Sequence, residues 1–286
     1  MLSSAVAGLA NGGGAYALLA VALILQFRTT GVLNFAIAAI GTFGTFMTST
    51  VYAHGWGLLP STLVGMAAGA TLSVIYGLLY VRFFFDASAR YRATVAIALL
   101  LGTVSFSYRI FGTVPQFLPN IVNGNVGSIA GVVVSWSGVL AIVLAIVVAI
   151  GLTLLLYRTR LGRQLRGISQ GPVTCELLGV PVRKLSVGIW AFSGGLASLA
   201  MLLVAPGQST QIEALALLVT PALAAALVAT FRHYWRAVVA GLVLGALQGI
   251  LAYYAALRAF SSAIPFAAIL LILLWLERKE VWDEAR

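Results

Sequence analysis

Few side chains in this 286-residue sequence can act as acids, bases, nucleophiles or metal ligands, since it has 2 histidines, 1 cysteine and 7 acidic residues. The membrane topology predicted below from the apolar segments places His54 and His233 in loops on opposite sides of a membrane. They therefore cannot share a metal or catalytic site. Cys175, as a lone thiol, excludes an intramolecular disulfide and a thiolate cluster. We therefore expect no catalytic residue, no metal and no cofactor in this chain.

A second group of side chains could line a path for a small solute. At helical spacing, the segment GTFGTFMTSTVY places small and hydroxylated residues along one face and beside it: Gly41, Thr42, Thr45, Thr48 and Ser49. Such a face serves either close helix packing or a translocation path, in which hydroxyl groups would bind a zwitterion weakly. Asn34 precedes it and is expected to hydrogen-bond within the protein, because a lone amide is costly to expose to lipid.

The composition decides which elements must position these residues. The chain is 61% hydrophobic and 8% charged, with a mean hydropathy of +1.04. Apolar runs of about 20 residues recur along it, each long enough to cross a hydrocarbon core of ~30 Å as a helix. We predict an all-α fold, a polytopic transmembrane bundle of about 8–9 membrane segments in one domain spanning residues 1–286.

Nine apolar segments can be identified: 5–26, 31–53, 58–81, 93–111, 133–157, 185–205, 214–231, 237–257 and 261–276. Segments 31–53 and 214–231 contain glycine, asparagine or proline, and either is expected to be broken or re-entrant. If loop 82–92 is cytoplasmic, alternation puts all but two of the 17 basic residues on that side. The positive-inside rule then predicts a cytoplasmic C-terminus and an external N-terminus.

Two loops between the segments stand out. The loop 112–132 is long and uncharged, and we expect it outside, either as a connector packed on the bundle or as a docking surface for an external partner. The loop 158–184 gathers six basic residues and one acid. Its first part has Leu161, Leu165 and Ile168 at i, i+4 and i+7, which predicts an amphipathic helix.

A short helix is predicted to follow within that loop. Proline at its first position and glycine just past its end are typical helix boundaries. The predicted residues are Pro172, Val173, Thr174, Cys175, Glu176, Leu177 and Leu178, followed by Gly179. A helix this short needs support. The apolar side of Val173, Leu177 and Leu178 therefore packs either on its own bundle or on a partner protein.

The segment RTRLGRQLRGISQGPVTCELLGV closely resembles the cytoplasmic loop of ABC-transporter permeases of the branched-chain amino acid type, where TRxGRAxRAxxxNPxxAxLLGI contains the coupling helix. Four further segments are similar in register: GGGAYALLAVALILQFRTTGVLNFA with its GxxNFA motif, GTVPQFLPN, WAFSGGLASLAMLLVAP and GLVLGALQG. The resemblance implies a permease subunit in a bacterial-type plasma membrane, with the helix at 172–179 in a cleft of an ATPase subunit.

The same resemblance implies a second permease subunit, two ABC ATPases that bind ATP and Mg, and an external solute-binding protein. The usual cargo of the family is branched-chain amino acids, with amides and urea as variants. The chain itself has no GxxxxGK[ST] loop for nucleotide. An ATP-independent channel for a small neutral solute stays an alternative, and a lipid-modifying enzyme would need clustered polar groups that the sequence does not have. We expect no nucleic-acid partner, since the basic residues follow membrane topology.

Overall fold

The computed structural model describes residues 2–85, 87–113, 116–122, 124–129, 132–208, 210–254 and 257–284. The N-terminal half contains four long helices: α1 at Ser3–Thr30, α2 at Ile37–Ala53, α3 at Leu58–Phe84 and α4 at Ala89–Phe111. A two-stranded antiparallel hairpin follows, with β1 at Asn125–Ile129 and β2 at Val132–Ser135.

The C-terminal half is also helical. Its helices are α5 at Trp136–Arg158, α6 at Arg160–Gln170, α7 at Pro172–Leu177, α8 at Val182–Val204, α9 at Ile212–Ala216, α10 at Val219–Val228, α11 at Tyr234–Tyr253 and α12 at Ile264–Glu284. Short 3₁₀ turns at Ala205–Gly207 and Arg258–Ala263 follow α8 and precede α12.

The predicted bundle of membrane segments is confirmed. Among the described residues, six helices are long and apolar enough to span a membrane, and three shorter apolar helices lie at Ile37–Ala53, Ile212–Val228 and Phe260–Trp275. The two segments expected to be irregular are irregular: residues 31–36 are not helical before α2, and α9 and α10 are separate helices. The hairpin in the predicted external loop was not predicted, because its strands are short and one of them contains glycine.

Helix α1 forms the centre of the bundle. Every residue from 15 to 25 is at most 3% exposed, on all sides of the helix. A helix that is apolar all round is a core helix, and α1 is covered by α5, α8, α10 and α11. The outer surfaces of α3, α4 and α5 instead expose large apolar side chains, as lipid-facing helices do.

Glycines bring the central helices close together. On α11, a Cβ at Gly245 would lie 2.6 Å from the Cα of Gly13 on α1. On α3, a Cβ at Gly69 would collide with the hydroxyl of Ser198 on α8. Small residues let helix backbones approach each other, and this supplies the packing that the hydrophobic effect cannot supply in lipid.

Candidate functional site: the α6–α7 surface and two cavities

Helix α6 is separated from α5 by one extended residue, Thr159. Thr159 caps α6 by accepting a hydrogen bond from the Gly162 amide at 3.0 Å, and it donates to the Leu155 carbonyl at 2.7 Å. Gly162 lies directly on α5, where a Cβ would collide with that same carbonyl. Of the three residues of the predicted apolar stripe, Leu165 and Ile168 are buried in the protein and Leu161 is exposed.

Helix α7 begins at the predicted residue and ends at Leu177, one residue before the predicted end. Pro172 is its first residue, Leu178 is its C-cap, and Gly179 follows with φ +81°, a conformation that glycine adopts without strain. The amide of Val180 donates to the carbonyl of Cys175 at 3.0 Å and closes this end.

The support of α7 comes from an unexpected residue. Cys175 is buried and its sulfur lies against α6, 3.0 Å from where a Cβ at Gly167 would be. Val173, Leu177 and Leu178 are instead 61%, 84% and 77% exposed. The alternative in which these three residues pack on their own bundle is therefore wrong, and their apolar side is free to meet another molecule.

An ion pair crosses from α7 to α8. Arg183 Nε lies 3.4 Å from Glu176 Oε1, and the guanidinium of Arg183 lies 5.5 Å from the ring centroid of Phe85. The side chains of Arg183 and Glu176 are 56% and 35% exposed, so both are more than a third exposed. Such a pair contributes at most about 1 kcal/mol, so it orients α7 more than it stabilises the fold.

A cavity of about 970 Å³ lies beside the first turn of α7. Its wall includes Pro172 together with three arginines, Arg28, Arg92 and Arg232. Arg28 Nη1 donates to the carbonyl of Arg232 at 3.1 Å. Thr230 and Phe231 in the same wall have φ of 50° and 51°, which is uncommon for residues other than glycine. The cavity next to the candidate coupling helix thus combines arginines of α1, α4 and the loop before α11 with a strained turn at Thr230 and Phe231.

The non-helical stretch before α2 is held by buried amides. Asn34 Nδ2 donates to Gln26 Oε1 at 3.1 Å, and Asn34 Oδ1 accepts from the Ala36 amide at 3.0 Å. The expectation that Asn34 hydrogen-bonds within the protein is confirmed. Gln26 is fully buried, and its Nε2 has no hydrogen-bond partner among the described residues.

The small, hydroxylated face of α2 lies in a helix–helix contact. A Cβ at Gly41 would lie 2.6 Å from the Ala197 carbonyl of α8, and Thr48 fits against Gly65 of α3. The hydroxyls of Thr42, Thr45 and Thr48 donate to the carbonyls four residues earlier, at 2.8, 3.0 and 3.1 Å.

Ser49, on the same helix, donates to the Phe117 carbonyl at 2.5 Å. These contacts are the ones expected if the small-residue face of α2 serves helix packing. No residue of this group lines the cavity beside α7 or the second large cavity, described next. A role for Gly41, Thr42, Thr45, Thr48, Ser49 or Asn34 in transport stays a prediction.

A second cavity, of about 690 Å³, opens at the other end of the bundle. It lies between the first half of α1 and the last turns of α11. Within the described part of the chain, no three His, Cys, Asp or Glu side chains come close enough to hold a metal ion. The site therefore consists of an exposed helix at one end of the bundle and a cavity at each end.

The family described as the permease component of branched-chain amino acid transport systems matches residues 2–273 of this sequence. The chain belongs to this family. It is an ABC permease of the branched-chain amino acid type, a multi-pass membrane protein that acts as a transport subunit and not as an enzyme.

The permease is similar to two curated relatives. It is 28% identical over 252 residues to the probable branched-chain amino acid transport permease protein LivH of Methanocaldococcus jannaschii, covering 84% of this chain and 78% of that protein. It is 26% identical over 206 residues to the high-affinity branched-chain amino acid transport system permease protein BraD of Pseudomonas aeruginosa, covering 67% of each.

Among solved structures, the permease aligns with PsaBC from Streptococcus pneumoniae in complex with Fab. The TM-score is 0.46 at 13% identity, covering 96% of this chain and 89% of that chain. A likeness of this size carries no argument about individual residues.

Sequence reasoning missed the cavity opposite α7. The polar residues that mark it, Asn11, Tyr16 and Gln248, lie in three different turns of two helices that are more than 200 residues apart in sequence. The available signal was their position inside apolar segments, where polar side chains are costly and often functional. No spacing rule could have joined them.

Proposed function

We propose that this permease is the membrane subunit of an ABC importer for branched-chain or related amino acids. Two ATPase subunits would bind and hydrolyse ATP with Mg, and each would receive a helix α7 in a cleft. A second permease subunit of the same kind and an external solute-binding protein would complete the assembly. The family membership and the names of the two curated relatives support the cargo.

The observation that carries the coupling role is the exposed apolar side of α7. Leu177 and Leu178 are 84% and 77% exposed on a helix that its own buried Cys175 holds in place. Fully burying a leucine contributes about 1.5–3 kcal/mol, so leaving two of them in water on a cytoplasmic loop is unfavourable unless a partner covers them. The loop between α5 and α8 is basic, which supports a cytoplasmic location for α7.

The mechanism would transmit motion through α6. Closure of the ATPases around ATP would move α7, which contacts α6 at Gly167, and α6 would pass the movement to α5 through its close contact at Gly162. The helices around α1 would then open the cavity on one side and close it on the other. Such switching requires contacts that differ between the two states.

The test is co-purification and uptake with the ATPases of the same organism. Leu177→Ala should weaken ATPase binding and ATP-dependent uptake of radiolabelled leucine in proteoliposomes by about tenfold, because it removes apolar area from a central contact. Leu161→Ala, a leucine exposed on α6, is the matched control and should bind normally. Uptake of leucine without ATPase would overturn the importer and identify a facilitator instead.

A further inference from the structure

The cavity opposite α7 ends blindly in the middle of the bundle. It is lined by Ser3 at the start of α1, by Tyr253 at the end of α11, and by residues of α1 as far along the helix as Tyr16. Tyr16 lies about halfway along the 28 residues of α1, roughly 20 Å from either end. Beyond Tyr16, residues 17–25 are at most 3% exposed and line neither of the two large cavities, so on α1 the cavity ends at Tyr16. We call this space the blind cavity.

The walls of the blind cavity contain polar side chains but no charged ones. Amides and hydroxyls come from α1, from α11 and from the segments after α8 and before α12: Ser4, Asn11, Tyr16, Gln208, Gln248 and Ser262. Among the described residues that line it, none is an aspartate, glutamate, lysine, arginine or histidine. A solute with a net charge would lose its hydration here without meeting an opposite charge, which is strongly unfavourable. The lining therefore favours solutes whose net charge is zero.

Tyr16 provides a hydrogen-bonding group that the protein itself does not use. Its side chain is 3% exposed, and its ring lies against Gly12, where a Cβ would be 2.8 Å from the hydroxyl oxygen. Within the described chain, no hydrogen-bond partner reaches this hydroxyl. Buried tyrosine hydroxyls usually have a partner, so this one is available to water or a solute at the base of the cavity.

The backbone beside Tyr16 is irregular at the same depth. Residues Leu9–Gly13 form a π-helical turn in α1, and Asn11 within that turn is exposed in the cavity wall. Gln208 Nε2 donates to the Asn11 carbonyl at 3.2 Å and ties the end of α8 to this turn. Turns of this kind are frequent at functional sites, and this one places the amide of Asn11 in the wall of a cavity within the membrane-spanning region.

We propose that the blind cavity receives the solute on the side of the membrane opposite α7, and that it accepts only solutes without net charge, such as a zwitterionic amino acid or an amide. The solute is held by the Tyr16 hydroxyl and the side-chain amides of Asn11 and Gln248. The cavity has room for roughly twenty water molecules, so the solute enters with part of its hydration. The direction of transport in this proposal rests on the proposed function, which is import.

The test uses the permease alone in nanodiscs, so its result does not depend on ATPase coupling. Gln248→Cys is labelled with a hydrophilic maleimide in the presence of L-leucine, urea, L-lysine or L-glutamate. The matched control is Leu247→Cys, the neighbouring residue of α11, which is 41% exposed outside the cavity. The parent protein corrects for labelling of the native Cys175, and size-exclusion chromatography checks that each variant is folded.

We expect the maleimide to label Gln248→Cys and not Leu247→Cys, and at least one neutral solute to slow labelling while lysine and glutamate do not. Tyr16→Phe, which removes one hydroxyl, should raise the solute concentration for half-protection by about three- to tenfold. Asn11→Cys provides a second labelling position.

Lack of labelling at both cavity positions, as expected if lipid fills the space, would overturn the proposal. Equal protection by charged and neutral solutes, or no protection by any of them, would overturn it as well. If protection holds and ATP-dependent uptake fails, only the proposed function is lost.

Discussion

The close contact of α1 and α11 predicts that a methyl group added at Gly245 destabilises the protein. In Gly245→Ala, the added Cβ would lie 2.6 Å from the Cα and 2.7 Å from the amide nitrogen of Gly13, and 3.0 Å from the carbonyl of Gly8. All three are backbone atoms, so no side chain can rotate away. Ordinary carbon contacts are about 3.5–4.0 Å, and the two helices must therefore separate by roughly 1 Å.

The magnitude follows from two opposing effects. Overpacking of this kind costs about 1–3 kcal/mol. Replacing glycine by alanine inside a helix gains up to about 1 kcal/mol of helix propensity. Gly102→Ala in α4 is the matched control, because nothing lies within 4 Å of its added Cβ. Since both variants gain the same propensity, Gly245→Ala should be less stable than Gly102→Ala by about 1–3 kcal/mol.

The assay is reversible unfolding of the purified permease in mixed micelles with increasing SDS, followed by the fluorescence of its 6 tryptophans. Gly245→Ala should unfold at lower SDS than the parent protein, and Gly102→Ala at equal or higher SDS. If both variants shift equally, the backbone contact between α1 and α11 does not exist as described, and the reasoning about small residues in this bundle is refuted.

Three further predictions concern the other elements. Thr45→Trp should reduce the yield of folded permease, since Thr45 is fully buried and overpacking costs about 1–3 kcal/mol or more; a stable variant with blocked uptake would instead support the path-lining alternative. Glu176→Gln should change the free energy of unfolding by less than about 1 kcal/mol because the pair with Arg183 is largely exposed, and a larger loss in a denaturation curve would show that the pair is structural. A fluorescent protein that folds only in the cytoplasm should be bright when fused after Ser169 and dark when fused after Gly55, and the reverse pattern would contradict the proposed orientation.

The sequence predicts the elements of this fold better than their contacts. The nine apolar segments and the boundaries of α7 follow from local signals: run length, the proline at position 172 and the glycine at position 179. Those signals act on neighbouring residues, so tertiary packing does not alter them. The support of α7 by Cys175 was missed, because it depends on the direction in which α6 leaves α5.

The use of a small-residue face depends on what lies opposite. The face of α2 suited both a path and a packing surface, and only the position of Ala197 and Gly65 distinguishes them. The blind cavity could not be predicted for a similar reason. Tyr16 and Gln248 meet because α1 packs beside α11, and hydrophobic periodicity does not predict which helices are neighbours. The π-helical turn at Leu9–Gly13 likewise has no local sequence signal that we can identify.

The burial of α1 on every side has a consequence for biosynthesis. This helix is made before α8 and α11, which help to cover it and begin at Val182 and Tyr234. At 5–20 residues per second, about 150 residues must be added before α8 starts, which takes on the order of ten to thirty seconds. During that time Gln26 can already accept a hydrogen bond from Asn34, but α8 and α11 do not yet cover α1. Chains that stop before α8 should therefore leave polar side chains of α1 uncovered within the membrane.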